Sequence, residues 1–432
     1  MAQNRKTPLF ITLCNASMLL YMAWLLLPAL QTALHAITGI AAVGLFGVAV
    51  LLDGETLPRR WRDFLPRVFL MAALPVILFT LLERGGGNFA GYYAQQGMFW
   101  FPLLWCAYAR RQGDSRLYRF VKPLLLALMV ITTLTTVGWL AQGMLRGGKV
   151  YAYARSLGSG EPNREAYLKE LMLRNIGGYD FIYASVLALP IVFYAATASH
   201  GWKRLGYSAF LVLQLGMIGL SQYTYAILFS AGIVAVEGLA LVFRIVWKKL
   251  SVAASMLWTL PVFAALWLAR VPLLGWAGNL AAGFGFENAA YSLTQLLTLL
   301  TGGAVDAGSR LITYAKPLTG ILASPWVGSL LGGAKWLGMH SDLLDLLSAL
   351  GILGTAAFGM GAWLIGRGSV RGVRALAAYP HIVLQWLGFL LCMGLGTVFY
   401  SREIPLILCL SATFLLRAQW EEPSGAKASK PA

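Results

Sequence analysis

The chain has 432 residues, 58% of them hydrophobic and only 12% charged, with a mean hydropathy of +0.68. A soluble globular domain carries about 25% charged residues, so composition excludes that class and predicts an all-α, polytopic integral membrane protein. The net charge of +17 would suit nucleic acid, but no RNA- or DNA-binding module is visible. In a membrane protein, basic loops set orientation and meet anionic lipid.

Met1-Ala2-Gln3-Asn4-Arg5-Lys6 precedes an apolar run without a small-residue cleavage site, so the N-terminus reads as a membrane anchor. Runs long enough to cross a hydrocarbon core of about 30 Å recur at residues 9–30, 34–52, 67–83, 92–109, 121–143, 177–198, 206–221, 223–243, 251–269, 343–365, 380–399 and 404–417. Cys14, Cys106, Cys392 and Cys409 lie inside apolar runs without metal or disulfide spacing and read as core residues. Basic residues occupy alternate connections: Arg59, Arg60 and Arg62; Arg110, Arg111, Arg116 and Arg119; Lys203 and Arg204; Arg244, Lys248 and Lys249; Arg367, Arg371 and Arg374. The positive-inside rule makes that side cytoplasmic, together with both termini.

The reading is of one membrane domain over residues 1–432, without an internal repeat. Two long connections, 144–176 and 270–340, fall outside; the second holds amphipathic stretches at 289–300 and 309–322, which predict an external helical cap on the membrane face. The tail at 418–432, rich in Pro, Ser, Gly and Lys, reads as a disordered cytoplasmic segment.

Positive charge outside runs against the orientation bias. The first external loop carries Arg146, Lys149, Arg155, Arg164, Lys169 and Arg174. Arg270, then Arg310, Lys316 and Lys335, and finally Arg402 follow. Singly, such residues read as solvated charge or headgroup contacts. As a set they suit a large anion at the outer leaflet, because guanidinium groups bind phosphate bidentately. Gly177 and Gly178 allow backbone to approach a ligand or a neighbouring helix. Tyr179 and Tyr183, four apart, share a face that could pack on sugar rings or belong to an interfacial aromatic belt.

His340-Ser341-Asp342-Leu343-Leu344-Asp345 stands at the foot of an apolar helix pattern running past Gly351 and Gly354. An ordinary histidine titrates at about pH 6.5, so one at the water–lipid boundary can remove a proton from a substrate held there. The simpler alternative is an interfacial histidine that ends a loop. Asp342 and Asp345 suit orienting His340 or capping its helix, and no DxD-like metal motif is present.

His340, Ser341, Gly351 and Gly354 meet the pattern His, then Ser, Asn or Gln, nine residues, Gly, two residues, Gly. Together with Arg310, the Ser324-Pro325 turn after it, the span layout and the large loop ahead of the histidine, residues 170–400 resemble the O-antigen ligase and O-antigen polymerase family. These are integral membrane glycosyltransferases acting on undecaprenyl-pyrophosphate-linked glycans. The resemblance implies transfer of a glycan from that lipid to a sugar hydroxyl of a lipid-linked acceptor, with inversion and without metal or other cofactor. His340 would be the general base, and Arg310, Arg174, Arg270, Arg402 and Lys335 would hold the pyrophosphate. Ser341, Asp342, Tyr179 and Tyr183 would support them. It further implies a bacterial inner-membrane protein with its site on the periplasmic face. The expected partners are the lipid-linked donor, the sugar acceptor, membrane lipids and a chain-length regulator, with no nucleic acid.

The polymerase reading is preferred, because no second acceptor-binding domain is visible. A ligase delivering the chain to a lipid A core is the alternative, and a flippase for lipid-linked oligosaccharide is the alternative of another class. The resemblance departs at one place. Family members often carry an arginine in a short Ser-x-Ser-Arg-like turn between the seventh and eighth spans. Here that turn reads Ser221-Gln222-Tyr223-Thr224, so its cation would have to come from Arg174, Arg270 or Arg402.

Overall fold

The computed structural model describes residues 8–53, 101–112, 117, 120–147, 164–248, 250–303, 313–329, 340–370, 378–396, 401 and 403–409, and these are helical with short turns and no strand among them. α1 (Leu9–Leu26) starts after Pro8 and stops at Leu27; Pro28 then takes the first position of α2 (Pro28–Leu52), where its missing N–H costs nothing. α3 (Phe101–Gln112) and α4 (Val121–Gly147) pack against α1, and α5 (Arg164–Leu173) is a short helix ahead of the central element. That element is α6 (Tyr179–Ala198), which touches α7 (Gly201–Leu220), α8 (Thr224–Val246) and, from far along the chain, α15 (Tyr379–Leu395).

Between α8 and α15 lie α9 (Val252–Leu257), α10 (Thr259–Leu268), α11 (Arg270–Gly283), α12 (Glu287–Leu300), α13 (Ala315–Ala323) and α14 (Asp342–Val370). Residues 403–409 are helical as well.

Four helices, α1, α4, α6 and α8, are long and apolar enough to cross a membrane, and the described residues give up to six spans if each of two bent pairs is one. α6 is 72% buried inside the bundle against 28% for α8, so α6 forms the centre and α8 presents its apolar surface outward. Expected runs at 9–30, 34–52, 121–143, 177–198, 223–243 and 380–399 correspond to α1, α2, α4, α6, α8 and α15. The run at 206–221 is helical as α7, whose first turn carries Lys203 and Arg204. The run at 251–269 is broken into α9 and α10, and the chain bends by 79° at Ala269 into α11. The run at 67–83, residues 92–100, most of 404–417 and the tail at 418–432 lie outside the described residues.

The second long connection is largely helical. α11 and α12 fold as a hairpin through Gly285, at φ 74°. Gly275 and Gly278 of α11 face Leu297 and Thr294 of α12, where a Cβ would stand in ordinary contact at 3.8 Å. α12 and α13 fall on the two stretches read as amphipathic, with residues 309–312 outside the described set. All four cysteines are buried and reduced, as core residues should be.

Candidate functional site

The site is assembled at the C-terminal end of α15, where the last carbonyls of a helix lack intrahelical donors. Three groups from elsewhere supply them. The Ser341 hydroxyl donates to the Gly394 carbonyl (2.7 Å), the Asp342 N–H to the Gly396 carbonyl (3.1 Å), and the Tyr314 hydroxyl to the Leu395 carbonyl (3.0 Å). Ser341 works in both directions, since its oxygen also accepts the Leu344 N–H at 3.2 Å and so caps α14. The motif serine therefore starts one helix and closes another. His340, immediately before it, is half-buried, while Ser341 and Asp342 are buried. Asp342 and Asp345 fill the first turn of α14, where their charge complements the helix dipole.

The motif glycine has an equally definite role. Gly351 adopts φ 64°, ψ −177° and breaks α14. The backbone groups freed by that break are taken up by residues 325–329. Ile352 and Leu353 N–H donate to the Pro325 and Trp326 carbonyls at 2.8 and 3.1 Å, and the Ser329 N–H donates to the Ala349 carbonyl at 3.1 Å. A Cβ on Gly351 would lie 2.4 Å from the Trp326 backbone, and one on Gly328, at φ 57°, would lie 2.6 Å from Gly351 N. Two glycines with positive φ thus let one backbone enter another. Irregular backbone in an apolar bundle is sustainable when its polar groups are paired in this way. The Ser324-Pro325 turn and the glycine of the histidine pattern, two separate signals in the sequence, are one contact in space.

Tyr179 opens α6 beside this junction, its hydroxyl 3.2 Å from where a Cβ on Gly396 would stand. Its ring stacks on Tyr183 at 4.5 Å and meets Tyr223 edge-on at 5.3 Å. Tyr183 is 1% exposed, so it packs inside the protein and not as an open platform for sugar. The turn that departs from the family pattern is itself buried: Ser221, Gln222 (φ 54°) and Tyr223 form a tight corner whose tyrosine completes the aromatic trio. Asp180, next to Tyr179, accepts the Ser401 hydroxyl at 2.8 Å, joining the residue before Arg402 to α6.

Gly177 and Gly178 serve the fold. The Gly177 N–H donates to Thr136 Oγ1 (2.8 Å), and the Phe181 ring fills the space a Cβ would take, 2.5 Å away. The same loop is tied to α4 through Asn175, whose amide donates to Thr132 (2.9 Å) and whose carbonyl accepts from Thr135 (2.6 Å). The threonine-rich run Thr132-Thr133-Leu134-Thr135-Thr136 on α4 supplies the hydroxyls of this anchor.

Of the expected pyrophosphate ligands, Arg174 is exposed and paired with Glu170 one turn earlier on α5. Arg270 donates to the Trp267 carbonyl (3.0 Å) and lies over the Trp267 ring. Both are engaged locally. Arg310, Lys335 and Arg402 lie outside the described residues. No group of His, Cys, Asp and Glu suited to a metal ion occurs among the described residues.

One ionisable constellation escaped the sequence reading. His381, in the first turn of α15, forms a 2.7 Å hydrogen bond through Nδ1 with Glu237 Oε1 of α8, and the two side chains are 5% and 2% exposed. The Tyr194 ring lies against the imidazole at 5.0 Å. Glu237 is an acid inside an apolar run, and nothing local in the sequence points to a partner 144 residues away. No protein-family model and no curated protein matches this chain.

Proposed function

We propose that the chain is a polytopic inner-membrane glycosyltransferase of about twelve spans, with both termini cytoplasmic and its site on the periplasmic face beneath a helical cap. It moves a glycan from undecaprenyl pyrophosphate to a sugar hydroxyl of a lipid-linked acceptor, as an O-antigen or capsule polymerase does. In the proposed step the acceptor oxygen bonds to the anomeric carbon while His340 takes the hydroxyl proton. The bond from that carbon to the pyrophosphate oxygen breaks, the anomeric centre inverts, and undecaprenyl pyrophosphate leaves with the electron pair. A sugar hydroxyl is a poor nucleophile, which is why a base is needed. The leaving group gathers negative charge, which arginines stabilise; Arg310 is the preferred one, with Arg174, Arg270, Arg402 and Lys335 as further cations.

The observation that carries this reading is the seating of His340. It is half-buried on a backbone held by Ser341, Asp342 and the end of α15, with Tyr314 bound to the same helix end. Tyr314 follows Arg310 by four residues in the sequence. A base needs this combination of access and a fixed backbone.

The buried Glu237–His381 pair favours a second reading, because ionisable groups within spans are the mark of a transport path. Purified protein in detergent, given lipid-linked repeat units, separates the two. The polymerase reading expects a ladder of extended chains, reduced by Arg310→Lys, which keeps charge and loses the bidentate fork. A transporter makes no ladder without a second compartment, and that result removes the enzyme reading.

A further inference from the structure

We propose that the cleft where α8 ends and α9 begins binds one anionic phospholipid, with its phosphate on Arg244 and Lys248 and its acyl chains along Trp247 and Trp258. The inference is independent of the glycan chemistry and concerns the opposite end of α15 from His340.

The cleft has a volume of about 480 Å³ and is lined by Trp247, Lys248, Leu250 and Trp258. Its walls are fixed by stacking. Phe243 lies 5.3 Å from Trp247, which lies 5.9 Å from Trp258. The Trp247 N–H makes the last helical bond, to the Phe243 carbonyl (2.8 Å), and at Trp247 (φ −110°, ψ 81°) the chain leaves the helix. Arg244 therefore stands in the last turn, and Lys248 follows just beyond it on the wall of the cleft.

Around the cleft the surface is apolar: Ile245, Val246, Leu257 and Leu260 are each at least 60% exposed. α8 is apolar enough to be a span, and the cleft is at its end, where hydrocarbon gives way to headgroups. Tryptophan is suited to that boundary, with an apolar body and a polar N–H.

Charge decides the headgroup. The sequence has no acidic residue from 238 to 286, and α15, which touches α8 and α9, has none either. The one acid on α8, Glu237, is 2% exposed and bonded to His381. Arg244 and Lys248 have no ion-pair partner among the described residues. Two uncompensated cations over an apolar wall at a span terminus fit a phosphate carried on acyl chains. A water-soluble phosphate would leave the tryptophan wall exposed.

The test is native mass spectrometry of the full chain in detergent with equal amounts of phosphatidylglycerol and phosphatidylcholine. Each cation near a membrane surface contributes about fivefold to binding an anionic lipid, so phosphatidylglycerol should be retained in marked excess. Arg244→Gln with Lys248→Gln should abolish that excess, and Trp247→Ala should lower retention of both lipids. Soluble glycerol 1-phosphate should not displace the bound lipid. Equal retention of the two lipids by the unaltered chain overturns the proposal without any variant. So does an excess that survives the double substitution, and displacement by glycerol 1-phosphate alone would assign the cleft to free phosphate.

Discussion

The two ends of α15 hold the same titratable side chain in opposite circumstances. At the first turn, His381 is 5% exposed, bonded to Glu237 and covered by Tyr194. Beyond the last turn, the residue beside the helix end is His340, half-buried, followed by Ser341 and Asp342, whose hydroxyl and N–H donate to the carbonyls of 394 and 396. Thirteen residues separate His381 from Gly394, about 20 Å along a helix.

The difference is one of accessibility and preorganisation, not residue type. A histidine whose ring is closed by a carboxylate and an aromatic ring binds two helices together. His340, by contrast, is only half-buried. α15 thus carries a closed hydrogen-bonded pair in its first turn and meets the half-buried His340 segment at its last.

Two substitutions break the comparison at either end. Gly351→Ala is expected to have the largest effect, above about 4 kcal/mol. It forces a side chain into positive φ and into the Trp326 backbone, so residues 325–329 must leave α14. The measurement is recovery of monodisperse protein after detergent extraction. Normal recovery would mean that the break in α14 is dispensable.

Glu237→Ala comes next. It leaves His381 buried without its acid, and losing one partner of a buried pair costs about 3–5 kcal/mol. The thermal midpoint of the purified protein should fall, while any chain-extending activity per folded molecule should persist at temperatures below it. An unchanged midpoint would show that the pair does not clamp α8 to α15.

Much of this architecture was readable as pattern. Apolar runs announced α1, α4, α6 and α8 because a span has a fixed length in residues. The histidine pattern announced the start of α14, and Ser341 proved to be its cap. What the pattern could not announce was pairing across the chain. Gly351 and the Ser324-Pro325 turn were both visible, yet their union depends on two backbones reaching one point, which no local periodicity encodes. Glu237 and His381 stand 144 residues apart, so no local pattern joins them.

Tyr179 and Tyr183 read as a possible sugar platform because spacing reveals a shared face without saying what lies against it. Tyr223, from the turn that departs from the family pattern, occupies that face. The cationic set was read from charge alone. Charge alone does not reveal that Arg174 pairs with a carboxylate one turn away or that Arg270 lies over a neighbouring indole.

The central claim is that His340, and not His381, carries the chemistry. The most direct measurement compares His340→Gln and His381→Gln in one chain-extension assay, with each activity normalised to folded, detergent-soluble protein. Glutamine keeps much of the shape and hydrogen bonding of histidine but cannot take up a proton. The account predicts that His340→Gln loses about 10²–10⁴-fold in activity with an unchanged thermal midpoint, whereas His381→Gln lowers the midpoint and keeps its activity. Full-length product from His340→Gln, or loss of activity in folded His381→Gln, would contradict it.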